Sequence, residues 1–275
     1  MWIVFKISVV VTPVEAVFEA VAKIGSLQEA ARKASEYGLD GLELSLLDPK
    51  VYKPKKLMQI LGKYGLEIPA FSTGLNYLHY GYSLSSRDPM MRDAAVKRLK
   101  EFIELAEPLG AGVIIGLMRG KTSKSMSKEE AYRLMVRELK EVCRYAEEKK
   151  VEIFFEPLNR YETDLVNTVE EGLKLLEEVD STALKLLLDT FHMNIEEPII
   201  EESIKRAAGK IGHFHVADSN RLAPGMGHID FTSVLKALKE AGYRGFLSAE
   251  VIIEPSFEKV LEYTVNTLKD AMRGL

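Results

Sequence analysis

Four stretches decide the fold: Val151-Glu-Ile-Phe-Phe-Glu156, Lys185-Leu-Leu-Leu-Asp189, Gly212-His-Phe-His215 and Phe246-Leu-Ser-Ala-Glu250. Each is a short, largely apolar run that stops on a carboxylate or an imidazole. The closing residues are 33, 26 and 35 positions apart. That is near the roughly 34 residues one strand-plus-helix unit takes when eight such units fill a chain of this size. Between the runs lie segments of helical period, Thr168–Val179, Glu201–Ala208 and Phe231–Ala241, and this alternation is the signal for parallel strands joined by helices.

The same alternation extends in both directions. Upstream strands are expected to centre on Val4–Ser8 (the first strand being Ile3–Val10), Gly41–Leu44, Glu67–Phe71 and Gly112–Gly116, with Ile211–Val216 as the full seventh strand. Helices are expected at Ser26–Tyr37, Pro54–Tyr64, Asp88–Leu109, Lys128–Lys149 and Ser256–Met272. Cap chemistry marks several starts: Ser26 before Glu29, Ser127 before Glu130, and Pro54 in a first turn. About eight units and no Gly/Ser/Pro linker favour a single α/β domain over residues 1–275, a (β/α)8 TIM barrel. An open doubly wound sheet is disfavoured because no Gly-rich dinucleotide fingerprint follows the first strand. Gly110-Ala-Gly112 and Gly225-Met-Gly227 are too short for one and read as turn glycines.

Composition narrows the function classes. Hydrophobic residues are 47% and charged residues 28% of 275, an ordinary globular balance that excludes disorder as the main state. Acidic residues outnumber basic ones, 41 to 37, so no global cationic field would gather nucleic acid. Cys143 is the single cysteine and can form no intramolecular bridge, which suits a reducing, cytoplasmic setting. Lys6 breaks the apolar start, and Pro13 and Glu15 follow it. Neither a signal peptide nor a membrane span is expected.

In a barrel, catalytic groups sit at the carboxyl ends of strands. Glu156, Asp189, His215 and Glu250 occupy equivalent places on four successive strands. Any one of them would be unremarkable, but three carboxylates and an imidazole converging on one half of the mouth repel unless a cation lies among them. An oxygen-rich set with one nitrogen suits Mn²⁺, with Mg²⁺ or Co²⁺ as alternatives. Period-two alternation turns Phe154, Leu187, His213 and Ser248 inward one layer below, with Glu152 and Lys185 lower still. His213 is therefore read as a hydrogen-bonded interior histidine rather than a ligand. Asn159, Arg160, Glu162, His192, Asn194, Asp218, Asn220 and Arg221 cluster just after the same strand ends, as the lining of a pocket for a small hydroxylated molecule would.

The strings Glu156-Pro-Leu-Asn-Arg-Tyr-Glu162, Asp189-Thr-Phe-His-Met-Asn-Ile-Glu-Glu197 and His213-Phe-His-Val-Ala-Asp-Ser-Asn-Arg221 resemble the D-tagatose 3-epimerase group of keto-sugar epimerases, within the xylose-isomerase-like barrel superfamily. The resemblance is dense from about residue 154 to 250. It implies that Glu156, Asp189, His215 and Glu250 hold a metal, usually Mn²⁺, that Glu156 and Glu250 are the catalytic acid/base pair, and that Glu162, His192 and Arg221 contact substrate oxygens or metal-bound water. The implied chemistry is epimerisation next to a ketone. One glutamate removes the proton, the enediolate charge is stabilised by the metal, and the other glutamate returns a proton to the opposite face.

Some details depart from the simple-ketose pattern. Ala217-Asp218 stands where Gly-Glu is frequent, and Gly225-Met-Gly-His228-Ile-Asp-Phe replaces a basic-hydrophobic-Pro-Trp run. Arg119, in Leu-Met-Arg119-Gly-Lys121 before a Ser/Lys-rich loop, is expected to clamp a substrate carboxylate bidentately, the other reading being a solvated basic loop. The expected partner is thus a small-molecule keto-sugar or keto-sugar acid, such as 5-keto-gluconate, or an inosose. Proton return to the adjacent carbon would instead give aldose–ketose isomerisation of hydroxypyruvate isomerase type. A DNA-repair enzyme like endonuclease IV is disfavoured by five histidines in all and by the net charge. A non-catalytic sugar-binding barrel is disfavoured by the intact ligand set. Barrel relatives suggest a homodimer or homotetramer.

Overall fold

Runs of Val, Ile, Leu and Phe with apolar neighbours on both faces form the staves of the barrel. The computed structural model describes residues 5–13, 20 and 22–275. Its strands are β1 (Lys6–Thr12), β2 (Ala22–Lys23), β3 (Gly41–Ser45), β4 (Ala70–Ser72), β5 (Gly112–Ile115), β6 (Ile153–Phe155), β7 (Leu184–Asp189), β8 (Ile211–Val216) and β9 (Phe246–Ala249). All neighbours pair in parallel, and β1 pairs with both β3 and β9. Strand β1 and strands β3–β9 therefore close into an eight-stave barrel, while β2 pairs with Val11 and Thr12 of β1.

The outer ring consists of α1 (Leu27–Glu36), α2 (Pro54–Gly62), α3 (Gly74–Tyr80), α4 (Pro89–Ala106), α5 (Lys128–Lys149), α6 (Val169–Val179), α7 (Thr190–Glu196), α8 (Ile200–Arg206), α9 (Phe231–Glu240) and α10 (Phe257–Arg273). Alternation along each strand divides the core. Outward residues such as Val9, Leu44, Val113, Phe155, Leu186 and Phe214 join the large core beneath the helices. Inward residues Ala70, Ile114, Phe154 and Leu187 form a separate small cluster inside the barrel. Phe154 fits there because Gly112 and Gly212 carry no side chain, and a Cβ at either would stand 2.1 or 2.6 Å from its ring.

Local chemistry accounts for the helix starts and for most departures from expectation. Ser127 accepts from the Glu130 amide, and Thr168 and Glu171 form a reciprocal capping box at α6. Pro54 opens α2, but Ser26 makes no side-chain cap bond. Strand β1 runs later than expected, and Met1–Val4 lie outside the described residues. Strand β4 begins at Ala70 rather than Glu67 because Pro69 has no N–H to donate, leaving Glu67 only an isolated bridge to Gly41. The expected helix over Asp88–Leu109 ends as α-helix at Ala106, and Glu107–Leu109, which contains Pro108, tightens into a 3₁₀ turn. Helices α3 and α7, both at the barrel mouth, are short additions to the expected pattern. Among the described residues no helix is long and apolar enough to cross a membrane.

Candidate active site

The carboxyl ends of β6–β9 bring Glu156, Asp189, His215 and Glu250 together, with one donor atom from each lying within 4.8 Å of the others. Strand geometry and local bonds fix each side chain. Asp189 ends β7 and caps α7, its Oδ1 accepting the Phe191 amide at 2.8 Å, which leaves Oδ2 facing the centre. Glu156 follows β6, and its carboxylate lies over Gly116, where a Cβ would be only 2.7 Å from Oε2. His215 points Nδ1 at Glu156 Oε1 (3.6 Å), Glu250 Oε2 (3.7 Å) and Asp189 Oδ2 (3.9 Å).

Those separations are too long for good hydrogen bonds. Glu156 Oε1 and His215 Nδ1 are both buried without a hydrogen-bond partner among the described residues. Donor atoms each about 2.1 Å from a shared ion stand roughly 3–4 Å from one another, so the arrangement and its oxygen-rich chemistry fit one divalent cation.

Electrostatics differ across the cluster. Burial pushes the Glu156 carboxyl up to about 7, with the charges of Glu250 and Asp189 adding and His215 opposing. Burial acts the same way on Glu250, but Arg221 and His215 outweigh it and hold that carboxyl below its ordinary value. Burial disfavours charge on His215, yet Glu43 and Glu250 win, raising it well above the ordinary imidazole range. His192 is taken down to about 3 by burial, only partly offset by Asp189, and is neutral at physiological pH.

Around the four donors lies a second set. Arg221 donates from Nη1 to Asp189 Oδ2 at 2.6 Å and from Nη2 to Glu250, and its guanidinium lies 4.7 Å over the Phe191 ring. It holds a left-handed backbone, φ 65°, on a loop anchored by Asp218, whose carboxylate accepts the amides of Ser219, Gly225 and Ile229. Asn159 sits against His192 Nδ1 with its amide Nδ2 at 2.7 Å and bonds Glu162 Oε1 at 3.0 Å. That turns His192 Nε2 toward Glu156 and Asp189, at 3.8 and 3.9 Å. Glu156, Glu162, His192, Arg221 and Glu250 line one side of a cavity completed by Ser45, Ser72, Thr73, Leu75, Leu78, Leu117 and Leu158. A larger recess at the amino-terminal end of the barrel, walled by Leu66, Ile68, Phe154 and His213, contains none of the four donors.

Arg119 departs from the expected carboxylate clamp. It is fully buried and does not line the cavity. Its Nε donates to the Gly116 carbonyl at 2.9 Å and its Nη1 to those of Leu165 and Val166, and the guanidinium lies 4.2 Å over Phe155. Backbone carbonyls of two irregular loops engage the side chain instead. Burial lowers it to about 9, partly offset by Glu156 and Glu162, so it remains a cation at neutral pH. Arg160 also turns away, pairing with Glu196 at 2.8 Å. His213 lies in the layer below the mouth, within 2.8 Å of Glu43.

Glu43 is the residue that sequence reasoning missed. It is fully buried in the middle of β3 and within hydrogen-bond reach of both His213 and His215. The available signal was a lone carboxylate inside Gly41-Leu-Glu-Leu44, since a charge in an apolar barrel strand has to find partners.

The sequence profile described as "Xylose isomerase-like TIM barrel" matches residues 31–271. The chain is similar to an L-ribulose 3-epimerase of Methylomonas sp. (strain DH-1), 32% identical over 241 residues, spanning 85% of this chain and 82% of that one. It is also similar to a D-psicose 3-epimerase of Enterocloster bolteae, 33% identical over 223 residues, 78% of this chain and 72% of that one. Among solved structures, an L-ribulose 3-epimerase superposes with a TM-score of 0.81 at 27% identity, covering 98% of this chain and 96% of the other. A 3-keto-D-glucoside 4-epimerase from E. coli shares the fold, with a TM-score of 0.80 at 22% identity, covering 98% and 99%.

Proposed function

Because the chain belongs to the xylose isomerase-like TIM-barrel family, we propose that it is a divalent-metal-dependent epimerase that inverts a carbon next to the ketone of a keto-sugar. The observation that carries this reading is the convergence of four donors, two of them orphaned atoms, on a cavity walled by glutamates. The 3-epimerase names of the relatives point to carbon 3 of a ketose.

Lining chemistry favours a neutral sugar over a sugar acid. Arg221 is the cation among the cavity's described lining residues, and its fork is already engaged by Asp189 and Glu250; the remaining charged lining residues are glutamates. A substrate carboxylate would meet repulsion from the glutamates and, among the described residues, no unengaged arginine or lysine.

Glu156 and Glu250 act as the acid/base pair, one taking the proton from the carbon beside the ketone and the other delivering a proton to the opposite face. His192, with Nδ1 engaged by Asn159, presents its other nitrogen to a substrate oxygen, and Glu162 accepts from a hydroxyl. Apolar Leu75, Leu78, Leu117 and Leu158 exclude water from the pocket. The bound cation, Mn²⁺ by donor chemistry with Mg²⁺ or Co²⁺ as alternatives, would supply a Lewis acid for the negative charge that develops on the ketone oxygen. The reading extends to a cytoplasmic enzyme, with Cys143 a buried free thiol, and to a homodimer or homotetramer, which sedimentation velocity reads directly.

The test is incubation of Mn²⁺-loaded protein with L-ribulose, D-psicose and D-tagatose in deuterated water. The expected result is the C3 epimer carrying deuterium at the inverted carbon. An aldose product would make the enzyme an isomerase, and absence of exchange with every ketose would overturn the reading.

A further inference from the structure

We infer that Glu43 is the positioning residue of the metal centre: from across the barrel interior it fixes the His215 imidazole so that Nδ1, rather than Nε2, faces the three carboxylates. The inference rests on the metal-centre reading above, and it concerns a residue that neither lines the substrate cavity nor belongs to the four-donor set.

Glu43 stands on β3 and the two histidines on β8, strands that do not pair with each other. Inward alternation nonetheless points all three side chains into one space. Glu43 Oε2 lies 2.8 Å from His213 Nε2 and 3.0 Å from His215 Nε2, while Oε1 lies 3.2 Å from His215 Nε2 and accepts the Ser72 hydroxyl. A carboxylate surrounded by three donors has only acceptor capacity, so both Nε2 atoms carry the N–H. The consequence for His215 is a fixed ring orientation whose second nitrogen can offer a lone pair to a cation.

His213 keeps the acceptor from drifting. Its ring stacks on Phe154 at 5.4 Å and 15°, and meets His215 edge-on at 5.3 Å. Phe154 is in turn seated by the missing side chains of Gly112 and Gly212. Contacts thus run from the packed interior layer, through His213 and Glu43, to the nitrogen that faces the cation site. A single buried carboxylate serving two imidazoles is a costly element unless several donors hold it, and here all three are in place.

The test is an Mn²⁺ titration read from the electron paramagnetic resonance signal of the free ion, on wild type and Glu43→Gln. Loss of an outer partner of a ligating histidine typically weakens metal binding about 10–100-fold, and that loss is expected with the far-UV spectrum of the metal-free variant unchanged. A purely structural role would lower the melting temperature and leave the ion affinity of folded molecules as in wild type; binding within twofold of wild type overturns the proposal. Should Glu43→Gln fail to fold, ¹⁵N-histidine spectra of wild type loaded with diamagnetic Zn²⁺ decide instead. The expected pattern is His215 protonated at Nε2 and metal-bound at Nδ1, and the reverse overturns the proposal. Wild type that takes up no Mn²⁺ at all defeats the metal reading itself, and the proposal with it, through a separate readout.

Discussion

Two arginines lie buried at the barrel mouth, Arg221 after β8 and Arg119 after β5, each aligned with an aromatic ring from a neighbouring element. Arg221 forks onto two carboxylates of the donor cluster, whereas Arg119 spends its donors on the backbone carbonyls of Gly116, Leu165 and Val166. The side chains are chemically identical, and what the planar fork meets sets the role. Between two carboxylates it holds the donor cluster together. Beside stranded carbonyls it stitches two loops and adds no cation to the described lining of the pocket.

The largest effect should come from two carboxylates of the donor cluster. Glu156→Gln or Glu250→Gln is expected to slow epimerisation about 10²–10⁴-fold, the range for losing a general acid or base, while the fold is retained. Steady-state assays alongside melting curves check this, and full turnover in either variant would remove the proposed pair. Next comes Arg221→Met, which leaves Asp189 and Glu250 buried without their cation. Breaking one side of such an arrangement costs about 3–5 kcal/mol, and Mn²⁺ should restore part of it, as urea unfolding with and without the ion would read.

Arg119→Met sharpens the contrast. Stranding the carbonyls it serves should cost about 1–3 kcal/mol in the same unfolding assay, with kcat/KM of the folded enzyme within a few-fold for neutral and acidic ketoses alike. A loss selective for a sugar acid would make Arg119 a clamp after all and erase the difference between the two. Smallest is Asp218→Asn, where an amide NH₂ replaces one acceptor of the loop that carries Arg221. A cost of about 1–2 kcal/mol and a modest rise in KM with kcat nearly unchanged are expected from kinetics across a ketose series.

Much of the barrel was legible because strand ends recur at one-unit spacing and alternation assigns an inward face. The same logic placed Glu156, Asp189, His215 and Glu250 at one mouth, where the structure brings them together. Strand limits were less legible where prolines intervene, as at Pro69, and short helices such as α3 and α7 offered too few turns for a periodic signal. The placing of Arg119 is not legible because its carbonyl partners at Leu165 and Val166 belong to another loop, whose path is not written in local spacing.

Sequence by itself determined the closed parallel barrel, the four donors at its mouth and the kinship of the motifs around them, since these depend on periodicity and residue type along the chain. Only the tertiary structure decided which arginine meets the four donors and that Glu43 stands behind His215. Those partnerships join Glu43 to histidines 170 and 172 positions away, Arg221 to carboxylates 32 and 29 positions away, and Arg119 to backbone carbonyls 46 and 47 positions away. They are settled by which unsatisfied group lies nearest once the barrel has closed, a matter of ångströms in space that no interval in sequence encodes.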